Sequence, residues 1–416
     1  MSQSTNQLVE HFFRHESANL VAVLTRAFGI RRIDLVEDMV QVAMLEAMHA
    51  WKQRGVPENP AAWIHRAAKN RILDVLRREK THEKAIALAG GSIDDQESIV
   101  DRWLEEEQLS DSLLRMMFVC CHPTLERKTQ LALTLKTLCG FGISEIARGL
   151  LLPSETVKKR IGRAKKSLAT ANVRLDLPSD EELTQRLDVV HDVLYLMFNE
   201  GYSTSQGTEP IRDDICEEAA RLCHLLCESR YSSPATKALL ALLLLHSARL
   251  DARTDSEGAV ILLEDQDRAE WDRQLIGVAQ YWLAQSKADS VTTYHLEAAI
   301  AMQHCIATSV EATDWETIIR FYDRLLQLRD SPIYALNRAI AVGQGGDTRE
   351  AMSQLESLRD RKDMQSYLLL DCAMARIHEL EGNTAEATDS YLIALSKAEA
   401  PHEKRLLERK LRKLAD

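Results

Sequence analysis

From Ile143 to Leu168 the chain repeats its apolar residues at helical spacing, with one break that ends at Pro153. The first segment reads Ile143-Ser-Glu-Ile-Ala-Arg-Gly-Leu150 and the second Pro153-Ser-Glu-Thr-Val-Lys-Lys-Arg-Ile-Gly-Arg163. That is the form of a helix-turn-helix. Proline suits the first turn of a helix, where its missing N–H costs nothing. Behind it Val157, Ile161, Ala164 and Leu168 share one face, which packs inward. The opposite face carries Thr156, Lys159, Arg160, Arg163 and Ser167. A helix laid in a DNA major groove needs donors for phosphates along its flanks and base-reading side chains near its N-terminal end. Ser154, Glu155, Thr156, Lys158, Lys159, Arg160 and Arg163 are the candidates. A solvated helix on a bundle would show the charges, but would not require turn, apolar face and basic face to agree.

The rest of the chain must accommodate that unit. At 416 residues it is long enough for two to four domains. Aromatics are only 5%, with 16 Gly and 9 Pro, so the expected fold class is all-α. The longest apolar run, Ala238 to Leu245, is far short of the roughly 20 residues of a membrane span and predicts a buried helix. The polar start, Met1 to Gln7, has no signal-peptide pattern, so a cytoplasmic protein without membrane contact is expected. Eight cysteines without a CxxC pair read as small buried hydrophobes.

The net charge of −11 argues against a nucleic-acid partner until its distribution is considered. Pro153 to Arg174 holds seven Lys/Arg against Glu155 alone. Ala62 to Lys80 holds His65, Arg66, Lys69, Arg71, Arg77, Arg78 and Lys80 against Asp74 and Glu79. Between them lie Glu83, Asp94, Asp95, Glu97, Asp101 and Glu105 to Glu107. Two basic helices joined by an acidic tether is the arrangement to explain.

On the helix from Asp34, residues Leu35, Val36, Met39, Val40, Ala43, Ala47 and Ala50 share a broad buried face. Asp34, Asp38, Gln41 and Leu45 occupy the other side. A large apolar residue beside Asp and Gln suggests a partner surface. A partly covered Leu45 within a bundle is the alternative.

These strings resemble a known family. Thr156-Val-Lys-x-Arg-Ile-x-Arg-Ala-Lys is similar to region 4 of the sigma-70 family, which reads the −35 promoter element. Asp111 to Cys121 and Arg127 to Leu138 would be that region's first helices. Glu37-Asp-Met-Val-Gln-Val-Ala-Met-Leu45 resembles region 2.2, which grips the β′ clamp helices of core RNA polymerase. Asn59-Pro-Ala-Ala-Trp63 and Ala68-Lys-Asn-Arg-Ile-Leu-Asp-Val-Leu-Arg-Arg78 resemble regions 2.3 and 2.4. There a loop holds a flipped −10 base and cations bind the backbone, offsetting a few kcal/mol of unstacking. The resemblance points to Arg54 to Pro60, with Arg54 and Asn59, for the pocket, and to Arg66, Lys69, Arg71, Arg77 and Arg78 for the groove. Trp63 begins an amphipathic helix and reads as core. No further sigma region fits between the two units, which implies the extracytoplasmic-function (ECF) type. The implied partners are core polymerase, through the β′ clamp helices and β flap, and promoter DNA.

About 240 residues follow the helix-turn-helix. Ala339…Gly346-Asp-Thr-x-Glu-Ala351 recurs as Ala375…Gly382-Asn-Thr-x-Glu-Ala387, with a weaker copy from Trp315 through Ile318, Tyr322 and Leu325. The pattern resembles tetratricopeptide repeats, which usually bind a protein on a concave face; an ordinary bundle is the alternative. Phe198-Asn-Glu-Gly-Tyr202 and Leu262 to Trp271 resemble the C-terminal extension of the sigma group often called ECF42, which implies regulation by the fused domain. The expected domains are 1–80 (region 2), 81–108 (acidic linker), 109–172 (region 4), 173–180 (linker), 181–290 (helical extension) and 291–416 (repeats). Cys120-Cys-His122 and Cys216, Cys223, His224 and Cys227 lack a four-ligand zinc pattern, and Glu264 to Asp267 lacks calcium-loop spacing. No nucleophile–base pair or phosphate loop is present, so neither enzyme activity nor a cofactor is expected. A helix-turn-helix regulator with a repeat-type sensor, acting without polymerase, is the rival function; residues 34–78 argue against it.

Overall fold

The computed structural model describes residues 2–83, 100, 106–150, 152–202, 212–255, 261–398 and 401–415. Among them are eighteen α-helices and no β-strand, the all-α class that the composition implies. Most of the acidic linker, and residues 203–211, lie outside the described residues. Two compact units divide the chain, Met1–Leu196 and Met197–Asp416.

The first unit opens with α1 (Ser2–Phe28), α2 (Ile33–Arg54) and α3 (Pro60–Glu83). Their shared core repeats at helical intervals: Leu20 and Leu24, then Val36, Val40, Ala43 and Ala47, then Ile64, Ala68 and Ile72. Each large aliphatic side chain so buried stabilises by roughly 1.5–3 kcal/mol. Trp51 stacks on Phe13 at 5.4 Å between ring centres and meets Trp63 edge-on at 5.9 Å. Trp63 is therefore packed against the core, as its place on an amphipathic helix implied.

Four more helices follow: α4 (Glu106–Cys120), α5 (Arg127–Thr137), α6 (Ile143–Gly149) and α7 (Ser154–Thr170). They bury Met116, Phe118, Leu131, Phe141 and Ile146 together with the apolar face of α7. This group packs on α1 at a point only glycine tolerates. Gly140 has φ 68°, and a Cβ there would lie 2.7 Å from Arg14 Cγ and 2.9 Å from its carbonyl oxygen. Arg14 lies over the Phe141 ring at 4.3 Å and pairs with Glu145 at 3.1 Å. Nearby, Arg26 pairs with Asp111 at 3.0 Å.

Residues 173–179 carry no helix, yet Leu175 is buried and its carbonyl accepts from Arg115 Nη1 at 3.2 Å. The boundary between the units falls inside α8 (Asp180–Tyr202). The early turns of α8 belong to the first unit. Arg186 donates to the Phe118 carbonyl at 2.6 Å, and Asp192 pairs with Arg127 at 2.7 Å.

The second unit contains α9 (Asp213–Glu228), α10 (Pro234–Ser247), α11 (Arg273–Gln285) and α12 (Thr293–Ile306). Ala238 to Leu245 lies in α10, and every residue of it except Leu244 is buried. A capping box between Ser233 and Thr236 starts that helix. No described helix is long and apolar enough to cross a membrane.

The unit continues with α13 (Trp315–Leu328), α14 (Pro332–Gln344), α15 (Thr348–Arg359), α16 (Leu368–Leu380), α17 (Thr384–Lys397) and α18 (Pro401–Ala415). The recurring small residues fall where helices touch: Ala339, Ala351, Ala375 and Ala387 are wholly buried. Gly346 and Gly382 take matching turns with φ 104° and 75°. The acidic residues considered for calcium are engaged structurally. Glu264 and Asp265 hold the buried Lys410 of α18, and Glu264 also meets Arg376 at 3.6 Å.

Candidate polymerase and promoter interface

Helix α2 turns two kinds of residue outward. Asp34, Asp38, Gln41 and Leu45 are all exposed, Leu45 by 59%. The buried side holds Val36, Val40, Ala43 and Ala47, while Leu35, Met39 and Ala50 are half-buried at its edges. Met48, one turn beyond Leu45, is 56% exposed and extends the apolar strip. A shallow hollow at its end is lined by Val42, Leu45, Ala50 and Trp63, with Glu46 and Arg54 at the rim. Apolar residues flanked by acids, with no described neighbour covering them, make a surface that a partner can desolvate.

The next helix starts at a defined cap. Asn59 Oδ1 accepts the Ala62 N–H at 2.9 Å, which ends the loop from Arg54 and fixes the start of α3. Arg66, Arg71, Arg77 and Arg78 are exposed along α3. Arg71 is paired with Glu46 of α2, and Arg77 lies 3.7 Å from Asp74. Such exposed pairs contribute little to stability and exchange readily for phosphate. Lys69 differs from its expected place. It is only 8% exposed, because it lies three and four residues before Ile72 and Leu73 and shares their buried face.

Helix α7 separates its faces cleanly. Val157, Ile161, Ala164 and Leu168 are buried, while Ser154, Glu155, Thr156, Lys158, Lys159 and Arg163 are exposed. Arg160 is half-buried. A groove runs between Thr124, Glu126 and Thr129 on one side and Thr156, Lys159, Arg160 and Arg163 on the other. Glu126 lines the groove opposite these cations, and Glu155 lies 3.5 Å from Lys159. The helix closes through Asn172, at φ 49°, with the Val173 N–H returning to the Leu168 carbonyl.

The two surfaces meet at one residue. Lys165 of α7 is 7% exposed and reaches α2, 2.9 Å from Asp34 and 2.8 Å from Glu37. Burial alone would lower its pKa, but Glu37 and Asp34 outweigh burial and raise it. Glu37 carries most of this interaction, since its side chain is 17% exposed and that of Asp34 is 80%. Asp34 is thus bonded to the cationic helix α7. In the sequence Lys165 is one of seven cations between Pro153 and Arg174. Its spacing was the available signal: four residues after Ile161 and three before Leu168, it falls on the buried face.

Seven of the cysteines are buried and Cys372 is half-buried; all eight are free thiols. Burial raises the Cys120 and Cys121 pKa values, the latter to about 12. That is the behaviour of core residues.

Sigma-70 region 2 matches residues 12–82, and sigma-70 region 4 matches residues 115–168. The chain belongs to the sigma-70 family. Over 158 residues it is 28% identical to the ECF RNA polymerase sigma factor SigM of Mycobacterium tuberculosis, covering 37% of this chain and 71% of that protein. Over 350 residues it is 37% identical to an uncharacterised protein of Rhizobium meliloti, covering 82% of each. Residues 186–287 match a family of unknown function (DUF6596). No solved structure matches the chain. This sigma factor is of the ECF type with a C-terminal helical extension, and its role is that of an RNA polymerase sigma factor. Its α1–α3 fall in region 2 and its α4–α7 cover region 4, so Lys165 joins region 4 to region 2.

Proposed function

We propose that the outward face of α2, Asp34, Asp38, Gln41 and Leu45, docks on the β′ clamp helices of core polymerase, with region 4 reaching the β flap. Arg54, Asn59, Arg66, Arg71, Arg77 and Arg78 engage and help melt the −10 element. Lys69 drops out of that groove because it is buried. Ser154 to Arg163 on α7 read the −35 element. The protein works without catalysis or cofactor of its own, in the cytoplasm. The observation that carries this reading is the exposed cationic face of α7 over a fully buried apolar one.

The reading has a geometric consequence. Elements centred near −10 and −35 lie about 25 base pairs apart, or ~85 Å at ~3.4 Å per pair. Regions 2 and 4 in direct contact do not span that distance, so the Lys165 pairs to α2 open when both elements are bound. Closed, the chain keeps Asp34 engaged; open, it frees Asp34 to join Asp38, Gln41 and Leu45, which are exposed in either state. The fused extension, which resembles the ECF42 group in Phe198 to Tyr202 and Leu262 to Trp271, sets how readily the protein acts. Its tetratricopeptide-like surface takes a protein partner. Covalent attachment gives the extension a high effective concentration beside region 4, so weak contacts suffice.

Run-off transcription with purified core polymerase tests the function. Core plus this protein should initiate from the cognate promoter and core alone should not; DNA binding without initiation would favour the rival, a regulator that needs no polymerase. Asp38→Arg with Leu45→Glu should abolish co-purification with core while circular dichroism stays unchanged.

A further inference from the structure

The centre of the extension contains a buried charge that no carboxylate pairs among the described residues. Arg249, just beyond α10, is 5% exposed. Its Nη2 lies 2.6 Å from His246 Nδ1 and 3.3 Å from the Tyr202 hydroxyl, while its Nε has no partner. Among the described residues no carboxylate lies within ion-pair distance of it. Two more guanidiniums are close. Arg253 sits 3.6 Å from the centre of the Tyr202 ring, and Arg268 4.9 Å from that of Trp271, which Arg249 also faces at 5.8 Å. Neither is ion-paired among the described residues.

Part of this charge has a structural use. Arg253 donates to the Tyr202 carbonyl at the end of α8, and Arg268 to the His304 and Ala307 carbonyls at the end of α12. A helix C-terminus offers roughly half a negative charge. Carboxylates also act on the flanking pair, Glu311 on Arg268 and Asp213 on Arg253, which leaves Arg249 as the cation without a counter-charge among the described residues. The two imidazoles add no charge, because burial and the neighbouring arginines hold His246 and His304 neutral, His304 with a pKa of about 3. A buried cation without a counter-charge is costly, and a protein normally pairs it. Orphaned polar atoms accompany it: Trp271 Nε1, 2% exposed as a residue, and His304 Nδ1 also lack partners.

We propose that this cluster is the binding site of a small oxyanion ligand, a molecule bearing a phosphate or carboxylate group. Arg249 is its central contact, Arg253 and Arg268 flank it, and the indole N–H of Trp271 supplies a neutral donor. Guanidinium forks match such groups geometrically. The site lies wholly within the second unit and stands whether or not the extension controls transcription.

Thermal unfolding and titration calorimetry of the full chain test it, with orthophosphate and citrate as probes against sodium chloride at matched ionic strength. Saturable stabilisation of about 3–5 °C at ~tenfold the Kd is expected for at least one probe. A response to phosphate alone would point to a phosphorylated ligand, and to citrate alone a carboxylate one. Arg249→Gln should weaken binding at least ~tenfold, as loss of a charge-assisted contact does. Arg268→Gln, at a half-exposed position, should weaken it in the same direction and covers the case in which the first variant fails to fold. Arg349→Gln, exposed on α15, should bind like the parent. No saturable effect beyond salt, or equal affinity in all variants, would overturn the site.

Discussion

Lys165 and Arg249 are buried to nearly the same degree, 7% and 5% exposed, and carry the same charge. They differ in what surrounds them. Lys165 lies between two carboxylates supplied by another helix of its own unit, so the protein completes that charge itself. Arg249 lies among imidazoles, aromatic rings and other arginines, and its charge is left for something else to complete. The first pattern belongs to a contact that holds two modules together; the second to a site awaiting a ligand. Burial alone does not distinguish them. The neighbours do.

The largest expected effect comes from breaking the completed pair. Lys165→Met strands Glu37 at a mostly buried position and should cost about 2–3 kcal/mol, at the low end for a buried pair because Asp34 is mostly exposed. Urea unfolding measures it; a loss below ~0.5 kcal/mol would mean that the contact is incidental. The same variant should give more open-complex formation per folded molecule if the contact restrains the protein.

Acid should act on the other region next. His246 and His304 have folded pKa values depressed below the ordinary 6.5. The unfolded chain therefore binds more protons as pH falls below that value, and the extension loses stability. For two such groups the slope steepens towards about 2.7 kcal/mol per pH unit as pH falls from roughly 6.5 to 5. His304→Gln should halve that slope, and Arg249→Met should make it shallower by easing protonation of both rings. Pulsed hydrogen exchange in urea at pH 6.5 and 5.5 follows the extension's own peptides.

A smaller effect sharpens the contrast directly. Without an oxyanion present, Arg249→Met should change stability by less than about 1 kcal/mol, or increase it, since it removes an unbalanced charge. A loss as large as that of Lys165→Met would show that Arg249 is already balanced within the fold. The smallest change in stability belongs to Arg163→Ala on the exposed face of α7, within roughly 0.5 kcal/mol. There the loss appears in DNA binding, whose salt slope should fall by about one unit if a phosphate contact is lost. Arg77→Ala with Arg78→Ala should instead impair opening of duplex promoters more than of pre-melted templates.

Much of the architecture was legible because helical spacing reports burial directly. Val157, Ile161, Ala164 and Leu168 carried the recognition helix, and the paired strings around Gly346 and Gly382 carried the stacked helices with their buried alanines. Lys69 stands among exposed cations in the sequence, yet Ile72 and Leu73, three and four residues on, place it on the inner face. Asp34 was legible as exposed, but its partner was not, because Lys165 lies 131 residues away.

The sequence by itself determined which face of each helix turns inward, where helices start and stop, and that two basic helices flank an acidic tether. Those are local properties, set by side chains three or four residues apart and by caps within one turn. Only the tertiary structure decided which charges meet. Lys165 reaches Glu37 because α7 crosses the start of α2, and Arg249 meets Trp271 because the chain returns there after α10. Charge compensation falls off with distance in space, not along the chain, so two buried cations that look alike in sequence end in opposite electrostatic states.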